Sequence, residues 1–408
     1  MAFDGIFVSG IKSELEKNLL GGRVYKVTEP ERDEIILTIK NNSSTYKLSI
    51  SVNPSLSLCM LTDVNKKSPI NAPTFVMLLR KHIQNGKIVS ITQPNVDRVI
   101  DMEIEHMNEL GDMVSVHLCS EFMGKYSNII LCDNEYNILD SIKRVPSTVS
   151  SVREVLPGRK YFIPDGDKLS LDTLNKNELF ESIRDKKCIL QKAIYTSITG
   201  LSPVIANEIC NNAGLPADLP ATSMSSTEIE KLYNALMNLK SRIDNDEFTF
   251  AIYKDSYSNK PEFSAIPLTS GYYDSVEYES PSQLLSDFYN DKALRNRMTQ
   301  KSFEYRRLTS NLLERETKKL ALQEKQLEST LGRDKYRIYG ELLQAYGYNV
   351  EEGATSITVP NFYDNNNNIT IPLKNDLSPL ENANAYFKKY NKLKRTFESV
   401  SELVEETK

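Results

Sequence analysis

The sequence predicts an α+β fold in three parts: an N-terminal mixed α/β domain, a helical domain, then a long antiparallel coiled-coil arm carrying a small β element. Three observations predict it. Short runs alternating apolar and polar residues cluster in the first 142 residues without regular β-α alternation. Helical periodicity takes over in residues 171–245. From residue 283 apolar residues recur seven apart, the spacing of a coiled coil. A chain of 408 residues is too long for one compact core and suits two or three domains.

In chain order, residues 9–20 read as an amphipathic helix with Ile11, Leu15, Leu19 and Leu20 inward, stopped by Gly21-Gly22. "RVYKVT", "EIILTI", "TYKLSISV" and "SLCML" read as strands, with "NNSS" as a turn. "APTFVMLLRKHI" reads as a helix, followed by strands near 87–92, 98–105, 113–119, 128–132 and 137–142. The Pro- and Gly-rich "PGRKYFIPDGDK" closes this domain, assigned to residues 1–170.

Residues 171–275 form the second domain. "NELFESIRDKKCILQKAIYTSITGLSPVIANEICNNAGLP" holds two helices around a tight "TGLSP" turn with Gly200 inside it and Pro203 in the next helix's first turn. This is the outline of a helix-hairpin-helix, whose turn can offer N–H groups to a phosphate; an ordinary helical hairpin fits the same residues. "FTFAIY" and "EFSAIPL" add a small β segment.

Residues 276–408 form the arm. Met298, Tyr305 and Leu312 are seven apart, as are Leu313, Leu320 and Leu327, in one charged helix running to about residue 346. A small middle domain spans about 340–376, with "TSITVPNFYDNNNNITIPL" as its hairpin. The return helix, 378–408, opens with Ser378 as cap, Pro379 first and Glu381 three after the cap. It is still periodic where the sequence stops, so the chain is expected to be a fragment of a longer protein.

Composition narrows the function. Net charge is −5, which excludes a protein basic all over but allows local basic faces. The five cysteines form no C-x-x-C pair and are odd in number, as expected of a reduced, cytoplasmic chain. No apolar run is long enough to span a membrane, and no signal-peptide pattern opens the chain. His82, His106 and His117 sit at no metal-ligand spacing, so no metal or cofactor is expected. Phosphate-binding glycine loops and a G-x-S-x-G elbow are missing, so no small-molecule substrate or self-contained catalytic centre is expected.

Basic and aromatic surface remains. Arg80, Lys81 and His82 adjoin; Lys125 sits in the turn "GKYSN"; Lys388, Lys389 and Lys392 lie in "YFKKYNKLKR"; Arg295, Arg297, Lys301, Arg306 and Arg307 line the long helix. Such groups are usually solvated faces, but their recurrence points to an RNA or ribosome surface. "NVDRVIDMEIE" poses a sharper question. Ile100, Met102 and Ile104 share one face, with Asp101, Glu103 and Glu105 opposite. Adjacent strand residues face opposite ways, so Asp97 and Arg98 cannot pair in a strand. Either Arg98 is partly buried against another carboxylate, or the strand starts later and both side chains sit at a loop edge; Pro94-Asn95 favours the loop. A guanidinium beside a carboxylate suits phosphate, base edges and 2′-hydroxyls.

Taken together, "MAFDGI", Asp97-Arg98, "EFMGKYSNIIL", "LSPVIANEI" and "LSPLENANAYFKKYNKLK" resemble the NFACT family over essentially the whole chain. The resemblance implies an NFACT-N domain, a helix-hairpin-helix domain and the coiled-coil arm with its middle domain; family members continue into an RNA-binding NFACT-R domain. It implies ribosome-associated quality control. The partners would be the large ribosomal subunit obstructed by peptidyl-tRNA, and tRNA, mainly alanyl-tRNA, recruited for untemplated C-terminal tailing, with peptidyl transfer left to the ribosome. By resemblance Asp97, Arg98 and Asp4 are tRNA contacts, joined by Lys125. Arg80, Lys81, Gly200, Lys388, Lys389 and Lys392 are candidate RNA or ribosome contacts. The family's older "fibronectin-binding" name implies an alternative, a surface adhesin for a matrix protein. The first two domains are also similar in layout to formamidopyrimidine-DNA glycosylases, but Met1-Ala2 offers no N-terminal proline nucleophile and zinc ligands are missing.

Overall fold

The structure, a computed structural model, describes residues 3–69, 71–108, 110–164, 167–255, 261–351 and 353–408, with side chains except at 255, 272–273, 290–301, 303 and 304. The expected cations Arg295, Arg297 and Lys301 and the seam residue Met298 therefore lie outside the described side chains. The chain divides into two compact units, Met1–Asn296 and Arg297–Lys408.

The first unit opens with helix α1, Gly5–Leu19. It starts four residues before the expected position because the Asp4 carboxylate accepts from the Phe7 amide at 3.0 Å and caps it. Strands β1 (Arg23–Glu31), β2 (Glu34–Asn41), β3 (Ser44–Asn53) and β4 (Leu56–Leu61) follow as a meander. After helix α2 (Thr74–Ile83) come β5 (Lys87–Thr92), β6 (Val99–Met107), β7 (Met113–Glu121), β8 (Asn128–Asp133) and β9 (Ile138–Ser141). Among the described residues these strands form one antiparallel sheet ordered β4-β3-β2-β1-β5-β6-β7-β8-β9, a mixed α/β architecture as expected. Helices α1 and α2 cover one face, with Ile11, Leu15 and Leu19 of α1 buried among Val24, Leu37 and Ile104.

At the β6–β9 end the other face is covered as well, by Tyr136 and residues 145–163, with Val155 and Tyr161 packed on Cys119, Ile130 and Cys132. Asp101, on the polar face of its strand, therefore does not face solvent. It is buried, accepting from the Tyr136 hydroxyl at 2.6 Å with His117 Nδ1 at 3.1 Å, because a second layer lies over the strand's polar face.

Four helices form a second core in this unit: α3 (Lys176–Arg184), α4 (Leu190–Ser197), α5 (Pro203–Asn212) and α6 (Ser226–Asp244). The segment expected to hold two helices holds three. The charged run Asp185-Lys186-Lys187 interrupts the apolar period between α3 and α4, and the Leu190 amide is held by the Leu219 carbonyl at 2.7 Å. The α4–α5 turn contains Gly200 at φ +81°, and Ser202 caps α5 with Pro203 first. Strands β10 (Phe250–Asp255), β11 (Pro261–Ser264) and β12 (Tyr272–Tyr278) make a small sheet, of which β12 was not expected. Ile6 and Val96 belong to the helical core, whereas Phe7, Val8 and Ile11 belong to the sheet core, so the start of α1 lies where the two cores meet.

Helix α7, Pro281–Glu328, begins in the first unit with Leu284 and Leu285 buried. It does not run to residue 346. The Thr330 hydroxyl donates to the Leu327 carbonyl at 2.6 Å in a turn containing Gly332, and α8 (Asp334–Tyr346) starts anew. In the second unit β13 (Ser356–Asn361) and β14 (Asn367–Pro372) form the expected hairpin, and α9 (Pro379–Thr407) has the expected capping box. Leu320 and Leu327 are half-buried, but Tyr305, Leu312 and Leu313 are exposed. Helix α9 packs on α8 through Ala383, Tyr386 and Phe387.

Candidate nucleic-acid interface

The start of α1, the loop between β5 and β6 and the α4–α5 turn converge through bare backbone. The Gly5 amide donates to the Gly200 carbonyl at 2.8 Å. A Cβ on Gly5 would lie 2.0 Å from the Val96 carbonyl oxygen, and one on Gly200 would lie 2.1 Å from it. Glycine is required at both places because no side-chain carbon fits between the three chains.

The β5–β6 loop is strained. Asn95 and Val96 both lie in the left-handed region, at φ +53° and +56°, which asparagine tolerates and a β-branched valine resists. Such a conformation costs on the order of 1–3 kcal/mol and persists only where its surroundings over-determine it. Here Val96 is buried, the Asp97 amide donates to the Pro94 carbonyl at 2.9 Å, and the Phe122 amide donates to the Arg98 carbonyl at 2.8 Å. Gln93 adds the main brace: its Nε2 donates to the carbonyls of Gly5 (2.8 Å) and Asp97 (2.7 Å), and its Oε1 accepts from the Ser9 hydroxyl at 2.7 Å. Strand β6 begins only at Val99, so Asp97 and Arg98 stand at the loop edge, both half-buried.

The loop faces a cleft of about 370 Å³ lined by Asp4, Asn95, Asp97, Arg98, Lys168, Ser170, Tyr195, Thr199, Gly200 and Ser202, with Met123, Ile163 and Pro164 on the apolar side. Two helix N-termini open here, α1 capped by Asp4 and α5 by Ser202, and their dipoles add positive potential. The Asp4 carboxyl is raised to about 6 by burial, against hydrogen bonds from the Ser202 hydroxyl and the Phe7 amide. Lys168, which donates to the Tyr195 carbonyl at 3.0 Å, is held below the usual lysine range by burial and then by the nearby Arg98 charge.

Of the expected site residues, Asp4, Asp97, Arg98 and Gly200 meet in this cleft. Lys125 is exposed in the turn after β7, near the lining residue Met123 but not itself lining the cleft. Arg80 braces β1, donating through Nε and Nη2 to the Val27 carbonyl at 3.1 and 3.0 Å. Lys81 lines a separate cleft together with His82, His106 and His117, histidines that looked scattered in the sequence. No metal-holding group of three or more His, Cys, Asp or Glu occurs among the described residues. Lys388, Lys389 and Lys392 are exposed on α9 in the second unit, with Lys389 Nζ 4.2 Å from the Tyr336 ring. Gln93 and Lys168 were missed. A lone glutamine carries no pattern, and Lys168 closes the cleft from 70 residues beyond Arg98.

Residues 4–408 match the family model described as "NFACT N-terminal and middle domains". The chain belongs to this NFACT family. It is similar to the "Rqc2 homolog RqcH" of Bacillus subtilis, 34% identical over 99% of this chain and 69% of that protein. The protein of the same name from Streptococcus suis is 33% identical over 100% and 69%. The human "Ribosome quality control complex subunit NEMF" is 26% identical over 141 residues. Among solved structures, the fibrinogen binding protein from Staphylococcus aureus matches with a TM-score of 0.60 at 28% identity, covering 71% of this chain and 99% of that one. The N-terminal part of the fibronectin/fibrinogen-binding protein from Streptococcus suis matches with 0.58 at 30% identity and the same coverage. Of these relatives, the human protein is named as a subunit of the ribosome quality control complex. No helix among the described residues is long and apolar enough to cross a membrane.

Proposed function

We propose that this NFACT chain is a cytoplasmic, non-catalytic RNA-binding factor of ribosome-associated quality control. It engages large ribosomal subunits obstructed by peptidyl-tRNA and recruits tRNA, alanyl-tRNA first, for untemplated C-terminal tailing, while the ribosome performs peptidyl transfer. In this reading residues 1–170 are the NFACT-N domain, 171–275 a helix-hairpin-helix domain and 276–408 the coiled-coil arm. The observation that carries it is the strained loop holding Asp97 and Arg98 at a cleft edged by Lys168 and two helix N-termini. Arg98 and Lys168 supply cations for phosphate, Asp97 supplies an acceptor for base amines or 2′-hydroxyls, and Asn95 and Ser170 supply neutral partners. Lys125 extends the surface beyond the cleft, and Lys388, Lys389 and Lys392 with Tyr336 form a basic and aromatic strip suited to RNA in the second unit.

The test is the double variant Asp97→Ala/Arg98→Ala. Expected is an unchanged melting temperature with loss of tRNA recruitment and of tailing; tails built at the normal rate would sink the assignment. A second reading, a surface adhesin, is favoured by the names of the fibrinogen- and fibronectin-binding relatives alone. Cell fractionation separates the two: most of the protein at the cell surface supports adhesion.

A further inference from the structure

Helix α5 starts at the cleft just described and ends, about 15 Å away at 1.5 Å per residue, at a second one. This groove, of about 610 Å³, lies between α5 and α6. Its polar lining is Lys231, Asn234, Asn238 and Arg242 from α6, with Asn212 from the end of α5. The steps of three, four and four residues put the α6 groups on one face of the helix. Ile209, Leu239 and Ile266 contribute apolar surface.

No carboxylate lines the groove among the described residues, although the chain has 55 acidic against 50 basic residues. The acids of α6 itself are engaged elsewhere. Glu228 closes the capping box with Ser225, Glu230 pairs with Lys176 at 2.8 Å, and Asp244 pairs with Lys240 at 2.5 Å. Arg242 Nη2 donates a long 3.3 Å bond to the Glu247 carbonyl. Helix α6 thus leaves two cations and a row of carboxamides facing one groove, while Glu228, held low by its Ser225 bonds and then by the Lys231 charge, stays outside the lining.

We propose that this groove binds the phosphodiester backbone of an RNA, as a second contact for the RNA held at the Asp97-Arg98 cleft; the inference rests on that reading. Lys231 and Arg242 are eleven residues apart, about 16 Å along the helix. That spacing is too wide for one small anion and fits two non-adjacent phosphates of one polymer. Carboxamides donate to phosphate oxygens and 2′-hydroxyls and accept from the latter, without reading sequence.

The experiment measures binding of an unmodified alanine tRNA transcript to the chain by anisotropy across a salt series. It compares wild type, Lys231→Ala/Arg242→Ala, the charge-retaining Lys231→Arg/Arg242→Lys, and Asp97→Ala/Arg98→Ala. Expected is weaker binding by the alanine pair at every salt, with a log–log slope shallower by roughly 0.7–0.9 per cation removed, and near wild-type behaviour for the charge-retaining pair. If the Asp97/Arg98 pair weakens binding but the Lys231/Arg242 pair changes neither affinity nor slope, this inference falls while the functional reading stands. Absence of tRNA binding by the wild type overturns both. Polyglutamate competing for the groove as well as RNA of equal charge would overturn the assignment to RNA.

Discussion

The Gly5 amide and the Gly200 carbonyl are hydrogen-bonded at 2.8 Å, joining the first residue of α1 to the turn that launches α5. Residues 195 positions apart are thereby in backbone contact, with the Val96 carbonyl wedged against both. The loop that carries Asp97 and Arg98 is held by this junction together with the Gln93 bonds and the Phe122 amide.

The first prediction concerns that junction. Gly200→Ala places a carbon 2.1 Å from the Val96 oxygen at φ +81°. The left-handed conformation alone costs roughly 1–2 kcal/mol, and displacing the Val96 backbone adds to it. Chemical denaturation should show a loss of at least about 2 kcal/mol together with weaker RNA binding. A variant as stable as the wild type would show that the three chains do not meet as described.

Gln93→Ala tests the brace. The change removes contacts to Ser9, Gly5 and Asp97; the Gly5 carbonyl keeps the Ser9 hydroxyl, but the Asp97 carbonyl loses the Gln93 donor, a cost of roughly 1–3 kcal/mol. Because Gln93 is not among the cleft-lining residues, its effect on RNA should come through Asp97 and Arg98. Expected is that Gln93→Ala weakens tRNA binding in the wild-type background and adds little to Asp97→Ala/Arg98→Ala. Full additivity in that cycle would mean Gln93 acts elsewhere.

Much of this fold was legible because local patterns and tertiary packing agree. The β5 bounds match the expected run, Ser378, Pro379 and Glu381 cap α9 as their types dictate, and Pro94-Asn95 marked the turn before β6. Where alternation fell short, a distant layer intervened. Asp101 alternates like a solvent-facing residue, yet Tyr136 and Tyr161 belong to a segment that covers that face. Leu313 keeps heptad spacing yet is exposed, so spacing alone did not decide burial there. In the site, Asp97-Arg98 stood out through turn chemistry and resemblance. The valine at positive φ had no signal at all, since nothing in "PNVDR" tells a valine that its neighbours will hold it there.

Glu121 and Arg153 yield a stability prediction. Glu121 is fully buried, accepts two bonds from Arg153 Nη2 at 2.6 and 2.5 Å and accepts from the Tyr161 hydroxyl at 3.0 Å. It precedes Phe122, whose amide holds the Arg98 carbonyl. Glu121→Ala leaves the Arg153 charge unpaired in a largely buried place and should cost about 3–5 kcal/mol in urea denaturation. Glu121→Leu/Arg153→Met removes both charges and should cost clearly less than the two single changes together. Additive losses would mean the pair is not coupled.

The last prediction is the pH dependence set by Asp4. Its carboxyl sits at about 6 in the folded chain against 3.8 ordinarily, chiefly through burial. The folded state therefore holds this proton more tightly than the unfolded chain does. Between those two values the folded state binds more protons, so stability falls as pH rises from about 4 to about 6 and stays lowered above that. A shift of this size corresponds to roughly 2–3 kcal/mol. Asn at this position keeps the cap, because its side-chain oxygen still accepts from the Phe7 amide, but it cannot ionise. Asp4→Asn should therefore match the wild type near pH 3.5 and become the more stable of the two, by up to about 2–3 kcal/mol, by pH 8. Paired denaturation curves across that range decide it. A stability difference that stays flat with pH would show that the carboxylate at the head of α1 ionises as it does in water, which a buried cap at the meeting point of two cores does not permit.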